Sequence, residues 1–295
     1  MKKIWIIIAA SFIVIGAIIF TGVMTMLKWD FSKLGTEKYQ TVNHSVTENF
    51  DSISIDGSTA KINFVLSDEN EVECFENIKT PYSVAVKNGT LTIIETDNRK
   101  WYDYIGIFFK TPKITVCLTK TQFNSLIVKD TTGDITVAKD FSFTDANIQL
   151  TTGDINYFAK TDKSLKIHVT TGDVEAYGIS PADVNITSTT GDIKLRDITC
   201  DNLTSGVSTG DITLSNVVAS EKFNIKSTTG DIAFDKCDAG EIYAKTTTGD
   251  ISGSLLSEKV FITKTSTGKI SVPQTVSGGK CEIKTTTGDI KIILE

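Results

Sequence analysis

The residues with the most regular chemical pattern are aspartates that follow a glycine. Thr-Thr-Gly-Asp, with small variations, occurs nine times at intervals of 19 or 20 residues, and an aliphatic residue follows each copy. Carboxylates stacked on neighbouring strands would lie roughly 4.8 Å apart and repel one another, which favours a cation such as calcium. The column consists of Asp134, Asp154, Asp173, Asp192, Asp211, Asp231, Asp250 and Asp289, with Lys269 in the eighth copy.

A structural role is the simpler interpretation of these aspartates. Each carboxylate can accept backbone N–H bonds at its own corner, as in an Asx-turn. Lys269 would interrupt a continuous ladder of ions. The Gly-Gly-x-Gly-x-Asp spacing of calcium-binding rolls is also missing from the sequence. We therefore expect no metal site and no cofactor.

A second column lies four residues before the glycine and becomes basic in the late repeats. It could bind an anionic cell-wall polymer such as a teichoic acid through long-range attraction. The alternative is a solvated polar face that discourages aggregation at strand edges. The residues are Lys226, Lys245, Lys264 and Lys284.

An aromatic cluster interrupts the strand pattern before residue 110. Its exposed rings could bind a ligand, a partner or the membrane surface. The alternative is a cap over the N-terminal end of a repeat stack, which terminal repeats usually need. The cluster contains Trp101, Tyr102, Tyr104, Ile105, Ile107, Phe108 and Phe109, of which Trp101, Tyr102 and Tyr104 are the candidate ligand contacts.

The sequence offers little support for catalysis or ice binding. Only His44 and His168 are present, without Gly-x-Ser-x-Gly, His-Glu-x-x-His or a phosphate-binding loop. Solenoid enzymes build clefts from inserted loops, whereas the repeat length here varies by one residue. Ice-binding faces present Thr-x-Thr on a strand, whereas these threonines are adjacent, and we expect ladder packing instead. The chain is therefore predicted not to be an enzyme.

Charge and cysteine content exclude two further classes. Lys2 and Lys3 precede an apolar segment, so the other 28 basic residues face 36 acidic ones, a net charge of −8. Such an acidic body argues against nonspecific nucleic-acid binding. Five cysteines, an odd number without a CxxC spacing, predict buried apolar residues rather than a disulfide framework or a metal site. They are Cys74, Cys117, Cys200, Cys237 and Cys281.

The repeat length predicts an all-β solenoid with rungs of 19–20 residues. Apolar residues recur seven and five positions before each glycine, and two and four positions after it. Strand side chains alternate, so the inward phase slips by one residue at Thr-Gly-Asp, and glycine should turn a corner there at positive φ. A second corner is expected near residues 196–202, with Ile198 pointing inward. The competing architecture is an antiparallel meander with Gly-Asp hairpin turns.

The N-terminus predicts one transmembrane helix. Residues 4–27 form an uncharged apolar run that is long enough to cross a bilayer, bracketed by Trp5 and Trp29. The two preceding lysines favour a cytoplasmic N-terminus and a C-terminal domain outside the cell. A cleaved signal peptide is the alternative. We expect a tip and anchor at 1–27, a linker at 28–45, an N-terminal β region with a cap at 46–120, and solenoid repeats at 121–295.

The combination of anchor, early strands and repeats resembles a bacterial family of "putative adhesins", a domain of unknown function. The resemblance covers about residues 46–295 and includes Phe50-Asp51-Ser52-Ile53-Ser54-Ile55 and the Leu-x-Ile-x-Thr-Thr-Gly-Asp-Ile periodicity. It implies a surface-exposed solenoid, often linked with Gram-positive envelope-stress systems of the Lia type. It carries no catalytic residues over to this chain.

The leading functional hypothesis is a non-enzymatic, membrane-anchored extracellular scaffold that binds a cell-wall polymer or an envelope protein. A self-assembling structural protein is the alternative, because the chain stops one strand after the last glycine and an open edge there could template another chain. A polysaccharide-active enzyme is the third class, and it would require a carboxylate cluster in a groove.

Overall fold

The fold is known from a computed structural model that describes residues 2–31, 38–104 and 110–295. The helix α1 (Lys2–Met26) comes first, and its residues 4–26 are long and apolar enough to cross a membrane. The rest of the described chain is mostly β-strand and forms one sheet of 22 strands. A short 3-10 helix spans Trp101–Tyr104.

The strands of the N-terminal region are β1 (Tyr39–Ser45), β2 (Ser52–Asp56), β3 (Lys61–Leu66), β4 (Glu71–Asn77), β5 (Tyr82–Lys87), β6 (Thr90–Glu95) and β7 (Lys113–Leu118). The repeat strands are β8 (Gln122–Thr132), β9 (Ile135–Val137), β10 (Ser142–Thr152), β11 (Ile155–Tyr157), β12 (Lys160–Thr171), β13 (Val174–Tyr177), β14 (Asp183–Thr190), β15 (Ile193–Thr209), β16 (Ile212–Thr229), β17 (Ile232–Lys245), β18 (Ile251–Leu255), β19 (Lys259–Lys264), β20 (Ile270–Ser271), β21 (Gly279–Lys284) and β22 (Ile290–Leu294).

The repeats stack as parallel rungs, which confirms the solenoid and excludes the meander. Equivalent positions pair in register, for example Ile148 with Ile167 and Ile155 with Val174. The predicted inward columns are buried through the inner rungs, and the position three before the glycine is buried as well. A single apolar cluster runs from Val46 to Ile292. The apolar side chains of each rung therefore pack against those of the neighbouring rungs.

Glycine forms the first corner of every rung at positive φ, as predicted. All nine repeat glycines have φ between 128° and 152°. A Cβ on Gly191 would lie 2.2 Å from the carbonyl oxygen of Gly172 in the neighbouring rung, and the other repeat glycines meet the same obstacle. Backbone conformation and rung spacing therefore both require glycine at this position.

The second corner also lies within the predicted segment, residues 196–202. Asp197, Asn216 and Lys236 occupy equivalent positions and have φ of 51°, 53° and 53°. Asn216 Nδ2 donates to Asp197 Oδ1 at 2.6 Å, which links two neighbouring corners. Ile198 follows the first of these residues and is buried in the core.

Antiparallel strands close the N-terminal end of the stack. β2 lies between β6 and β8, and β3 lies between β7 and β9, all in parallel. β5 then pairs with β6, β4 with β7, and β1 with β4, and these three pairs are antiparallel. The predicted aromatic cap is not supported at Trp101, whose surface is 77% exposed. The side chains of Tyr102 and Tyr104 and residues 105–109 lie outside the described residues.

The last repeat is inserted between the two repeats that precede it in the chain. β21 pairs with β17 on one side and with β19 on the other, and β22 likewise lies between β18 and β20. The stack therefore runs from the rung of Gly249 to that of Gly288 and ends with that of Gly268. The expectation that the C-terminal strand forms the open edge is wrong. That edge belongs to β19 and β20.

Two adjacent glycines lie where the chain returns from the terminal rung to the inner one. A Cβ on Gly278 would lie 1.8 Å from the carbonyl oxygen of Glu258, and one on Gly279 would lie 1.8 Å from that of Gly240. The chain passes from the terminal rung back to the inner one at this point. Side chains on either glycine would obstruct the insertion.

Candidate functional site

The aspartate column forms a ladder that joins the rungs. Oδ1 of each aspartate accepts the backbone N–H of the equivalent residue in the next rung, at 2.7–3.3 Å. Asp192 N, for example, donates to Asp173 Oδ1 at 2.7 Å. The prediction that each aspartate bonds at its own corner is therefore wrong in geometry. The carboxylate caps the neighbouring rung, and the column has a structural role.

The lysine in the eighth copy lies at the end of the aspartate column, so the column is not interrupted at the place that the chain order predicted. Asp289 N donates to Asp250 Oδ1, and Lys269 N donates to Asp289 Oδ1, both at 2.7 Å. Eight aspartates are thus continuous, and Lys269 occupies the final place. No further rung follows it among the described residues, so a carboxylate at this place would have no backbone N–H to accept.

The four lysines of the candidate site do lie together on one face. Lys226 pairs with Lys245, Lys245 with Lys284, and Lys284 with Lys264, so the four occupy successive rungs. Their order differs from the chain order because of the inserted repeat. With a rung spacing of roughly 4.8 Å, the column is roughly 14 Å long. We call these four residues the lysine column.

A shallow depression of about 380 Å³ adjoins the lysine column. It lies at Gly206, which pairs with Lys226 on one side and with Thr187 on the other and contributes no side chain. Lys226 and Lys245 line the depression together with hydroxyl groups. The hydroxyl-bearing residues are Thr187, Ser188, Ser208, Ser227, Thr228 and Thr247, of which Ser188 and Ser227 are buried and donate to the carbonyl oxygens of Gly172 and Gly210.

The lysines differ in their electrostatic surroundings. Glu282 contacts Lys284 and lies 2.7 Å from Lys280 Nζ. Hydrogen bonds from Lys280 and Lys284 lower the pKa of Glu282 to about 2, and the same contact raises the pKa of Lys284. Lys226 Nζ lies 5.6 Å from the Tyr243 ring centroid. Across the described residues, no carboxylate lies within 4.0 Å of Lys226, Lys245 or Lys264.

The aromatic candidates lie far along the stack from the lysine column. Tyr39 Oη donates to the Lys110 carbonyl oxygen at 3.0 Å, which places Lys110 beside the first strand. Trp101 opens the segment and is exposed. The two sets of candidate residues therefore do not form one site.

The histidine, threonine and cysteine side chains considered in the sequence have structural surroundings that explain them. His168 is on the surface, where its Nδ1 lies 2.9 Å from Thr187 Oγ1. The paired threonines are exposed and in register. Four cysteines are buried and Cys117 is partly exposed. Burial raises the pKa of Cys74, Cys200 and Cys281 to about 12 and that of Cys237 to about 11, so these thiols remain protonated.

This arrangement of stacked Gly-Asp corners under an antiparallel N-terminal end corresponds to a known family. The family described as Toastrack DUF4097 matches residues 50–292. The chain belongs to this family. Among curated proteins, none matches this DUF4097 chain significantly.

Several solved structures resemble the DUF4097 chain at low identity. An adhesin-like protein of Bacteroides fragilis, described as a "putative adhesin", is 18% identical, with 88% of this chain and 99% of that chain covered and a TM-score of 0.41. A Parabacteroides distasonis protein described as a "putative lipid binding protein" is 17% identical, with 88% and 98% covered and a TM-score of 0.42.

Sequence reasoning found the lysine column in this DUF4097 chain but missed the depression beside it. The signal was present, because Gly206 stands in the column where neighbouring repeats carry Thr187 and Lys226. A glycine outside the corner motif removes a side chain from an outward position. Its effect depends on which rungs lie on either side, which the stacking order determines.

Proposed function

We propose that this chain is a non-enzymatic binding module in which the lysine column binds an anionic cell-wall polymer such as a teichoic acid. One observation carries the proposal. Four lysines occupy successive rungs on one face, next to a depression lined by hydroxyl groups. A polymer of regularly spaced phosphates could follow such a column along the stack.

The local charge matters because the rest of the body is acidic. The net charge of −8 on the residues after the apolar segment would repel an anionic polymer as a whole. Lys226, Lys245 and Lys264 have no close carboxylate among the described residues, so their charges are available to a ligand. Interaction between exposed charges is screened over about 8 Å at physiological ionic strength. Binding should therefore be short-ranged and should weaken strongly with salt.

In this proposal the solenoid lies outside the cell. The helix of residues 4–26 is long and apolar enough to anchor the chain, and Lys2 and Lys3 favour a cytoplasmic N-terminus. An adhesin-like or envelope-stress-associated scaffold is the cellular role that such a placement supports. Protease treatment of intact cells should degrade the solenoid and leave the anchor. Protection of the solenoid in intact cells but not in lysed ones would contradict this orientation.

The binding test uses the full chain in detergent and a purified glycerol-phosphate teichoic acid. Replacement of Lys226, Lys245 and Lys264 by glutamine should weaken binding by about tenfold or more, because three charge-assisted contacts are lost. The matched control replaces Lys120, Lys160 and Lys163, which are exposed on earlier rungs and give the same change in net charge. Equal loss in both triple variants would mean that net charge, not the column, governs binding.

A further inference from the structure

The terminal rung, formed by β19 and β20, exposes positions that are buried in every inner rung. Ile270 is 45% exposed, whereas Ile290 at the same position in the next rung is 1% exposed. Phe261 and Thr263 are also only partly buried, although Cys281 and Ile283 beneath them are fully buried. The outer face of this rung therefore has apolar surface that a further strand would cover.

The backbone of the terminal rung also has hydrogen-bonding groups directed outward. Thr285 N donates to the Lys264 carbonyl oxygen at 3.0 Å, so Lys264 faces the inner rung. Because successive residues of a strand alternate, the N–H and C=O groups of Phe261, Thr263 and Thr265 face away from the stack. The Thr275 hydroxyl contacts the Lys259 carbonyl oxygen, so the loop between β20 and β21 covers only the beginning of this edge.

The corner of the terminal rung adds two further outward donors. In the inner rungs, the glycine N–H donates to the carbonyl of the threonine that precedes the glycine of the next rung, and the N–H of the aliphatic residue donates to the carbonyl of the residue that follows that glycine. Gly288 donates to Thr267 at 2.9 Å in this way, and Ile290 donates to Lys269 at 2.8 Å. The same geometry directs the N–H groups of Gly268 and Ile270 out of the end. No described residue accepts either of them.

The charge at this edge is opposite to that of the corner column below it. Lys269 stands where the other repeats carry aspartate, and Lys264 lies on the same rung. Two copies that paired edge to edge would bring four ammonium groups together, which is unfavourable. An acidic segment would instead find two cations beside a row of backbone donors.

We propose that the terminal rung is a docking edge for an extended acidic segment of a partner protein. The segment adds one more strand to the stack by pairing with the outward groups of Phe261, Thr263 and Thr265. Its apolar side chains cover Ile270 and the exposed side of Phe261. Its carboxylates contact Lys264 and Lys269.

The test measures binding of a fluorescein-labelled peptide of alternating valine and glutamate to the full chain in detergent, by fluorescence anisotropy. Thr263→Pro removes one outward N–H at an edge position where proline is tolerated, and should weaken binding by about tenfold. Thr263→Ala keeps that N–H and should bind within about twofold of the unmodified chain. Lys269→Asp installs the residue of the other repeats and should weaken binding by about tenfold.

Several results would overturn the proposal. They are absence of binding to the unmodified chain, equal binding of a valine–lysine peptide, and equal effects of Thr263→Pro and Thr263→Ala. A chain that dimerises by sedimentation velocity, and becomes monomeric in the Thr263→Pro variant, would assign the edge to a second copy and also overturn it. If the Thr263→Pro variant fails to fold, peptide binding by the Lys269→Asp variant tests the proposal instead, and unchanged binding by that variant would overturn it. Glutamine at Lys226 and Lys245 should leave peptide binding unchanged, which separates this edge from the lysine column.

Discussion

The backbone N–H of Lys269 donates to Oδ1 of Asp289 at 2.7 Å, although Asp289 comes twenty residues later in the chain. In every earlier pair the donor follows the acceptor in the chain, as Asp250 follows Asp231. The reversal marks the point at which the last repeat enters the stack. It places Lys269 at the end of the aspartate ladder and determines the order of the lysine column.

The aspartate ladder combines a favourable hydrogen bond with repulsion between neighbouring carboxylates. Asp192→Ala should lower the free energy of unfolding by about 1 kcal/mol, because the Asp211 N–H loses its acceptor at 2.9 Å. Asp192→Asn keeps an oxygen acceptor and removes one charge, so it should be at least as stable as the unmodified chain at low salt. Urea unfolding with and without 1 M salt measures both effects, because salt screens the repulsion. An asparagine variant as unstable as the alanine variant would contradict the account.

The corner glycines should tolerate no side chain. Gly191→Ala should lower the free energy of unfolding by about 2 kcal/mol or more, since its φ is 128° and the new Cβ would overlap a carbonyl oxygen. Gly206→Ala is the matched control, because the atoms nearest to its Cβ lie at 3.8 Å. It should change stability by no more than about 0.5 kcal/mol. Equal destabilisation of the two variants in thermal or urea unfolding would argue against this corner geometry.

Asp130 should make the stability of the N-terminal rungs depend on pH. It occupies a buried column position, and its carboxylate accepts N–H bonds from Thr131 at 2.8 Å and Ala60 at 3.2 Å. Burial raises its pKa to about 7, against a usual value of 3.8. The folded state thus holds a proton that the unfolded state releases between these values. Stability from this group is full below about pH 4 and is lost as pH rises through about 7.

Replacement of Asp130 by asparagine tests this dependence. The difference in unfolding free energy between the variant and the unmodified chain should change between pH 4 and pH 7, in favour of the variant at higher pH. Outside that range the difference should stay constant. A difference that is independent of pH throughout would show that Asp130 titrates normally in the folded protein.

The sequence predicted the rung but not the order of the rungs. The invariant aliphatic residue after Gly-Asp and the phase slip at glycine determine which side chains face inward, and both are local properties. The repeats around Gly268 and Gly288 satisfy the same local rules, so either could stack on the rung of Gly249. Lys269 and the pair Gly278–Gly279 are features that distinguish them. Their meaning depends on contacts between residues twenty or more positions apart.

The candidate site could likewise be predicted only in part from the sequence. The lysines recur at a fixed offset from the glycine, which is visible in the sequence, whereas their spatial order and the depression at Gly206 follow from the stacking. The aspartates were assigned a structural role correctly but with the wrong partner. An Asx-turn and a bond between rungs use the same residue type, and only the three-dimensional register separates them.

The order of the final rungs is the central claim, because the lysine column and the docking edge both depend on it. Thr248, Thr267 and Thr287 occupy the same position in their rungs, and Thr287 pairs with each of the other two. Cysteines at positions 248 and 287 should form a disulfide, as should the positive-control pair at 267 and 287, because adjacent rungs place their Cα atoms roughly 4.8 Å apart. Cysteines at 248 and 267 should not, since roughly 9.6 Å separates them. Mild oxidation followed by mass spectrometry of the full chain reads out each pair. A disulfide between 248 and 267, with none between 248 and 287, would show that the repeats stack in chain order and would contradict the account.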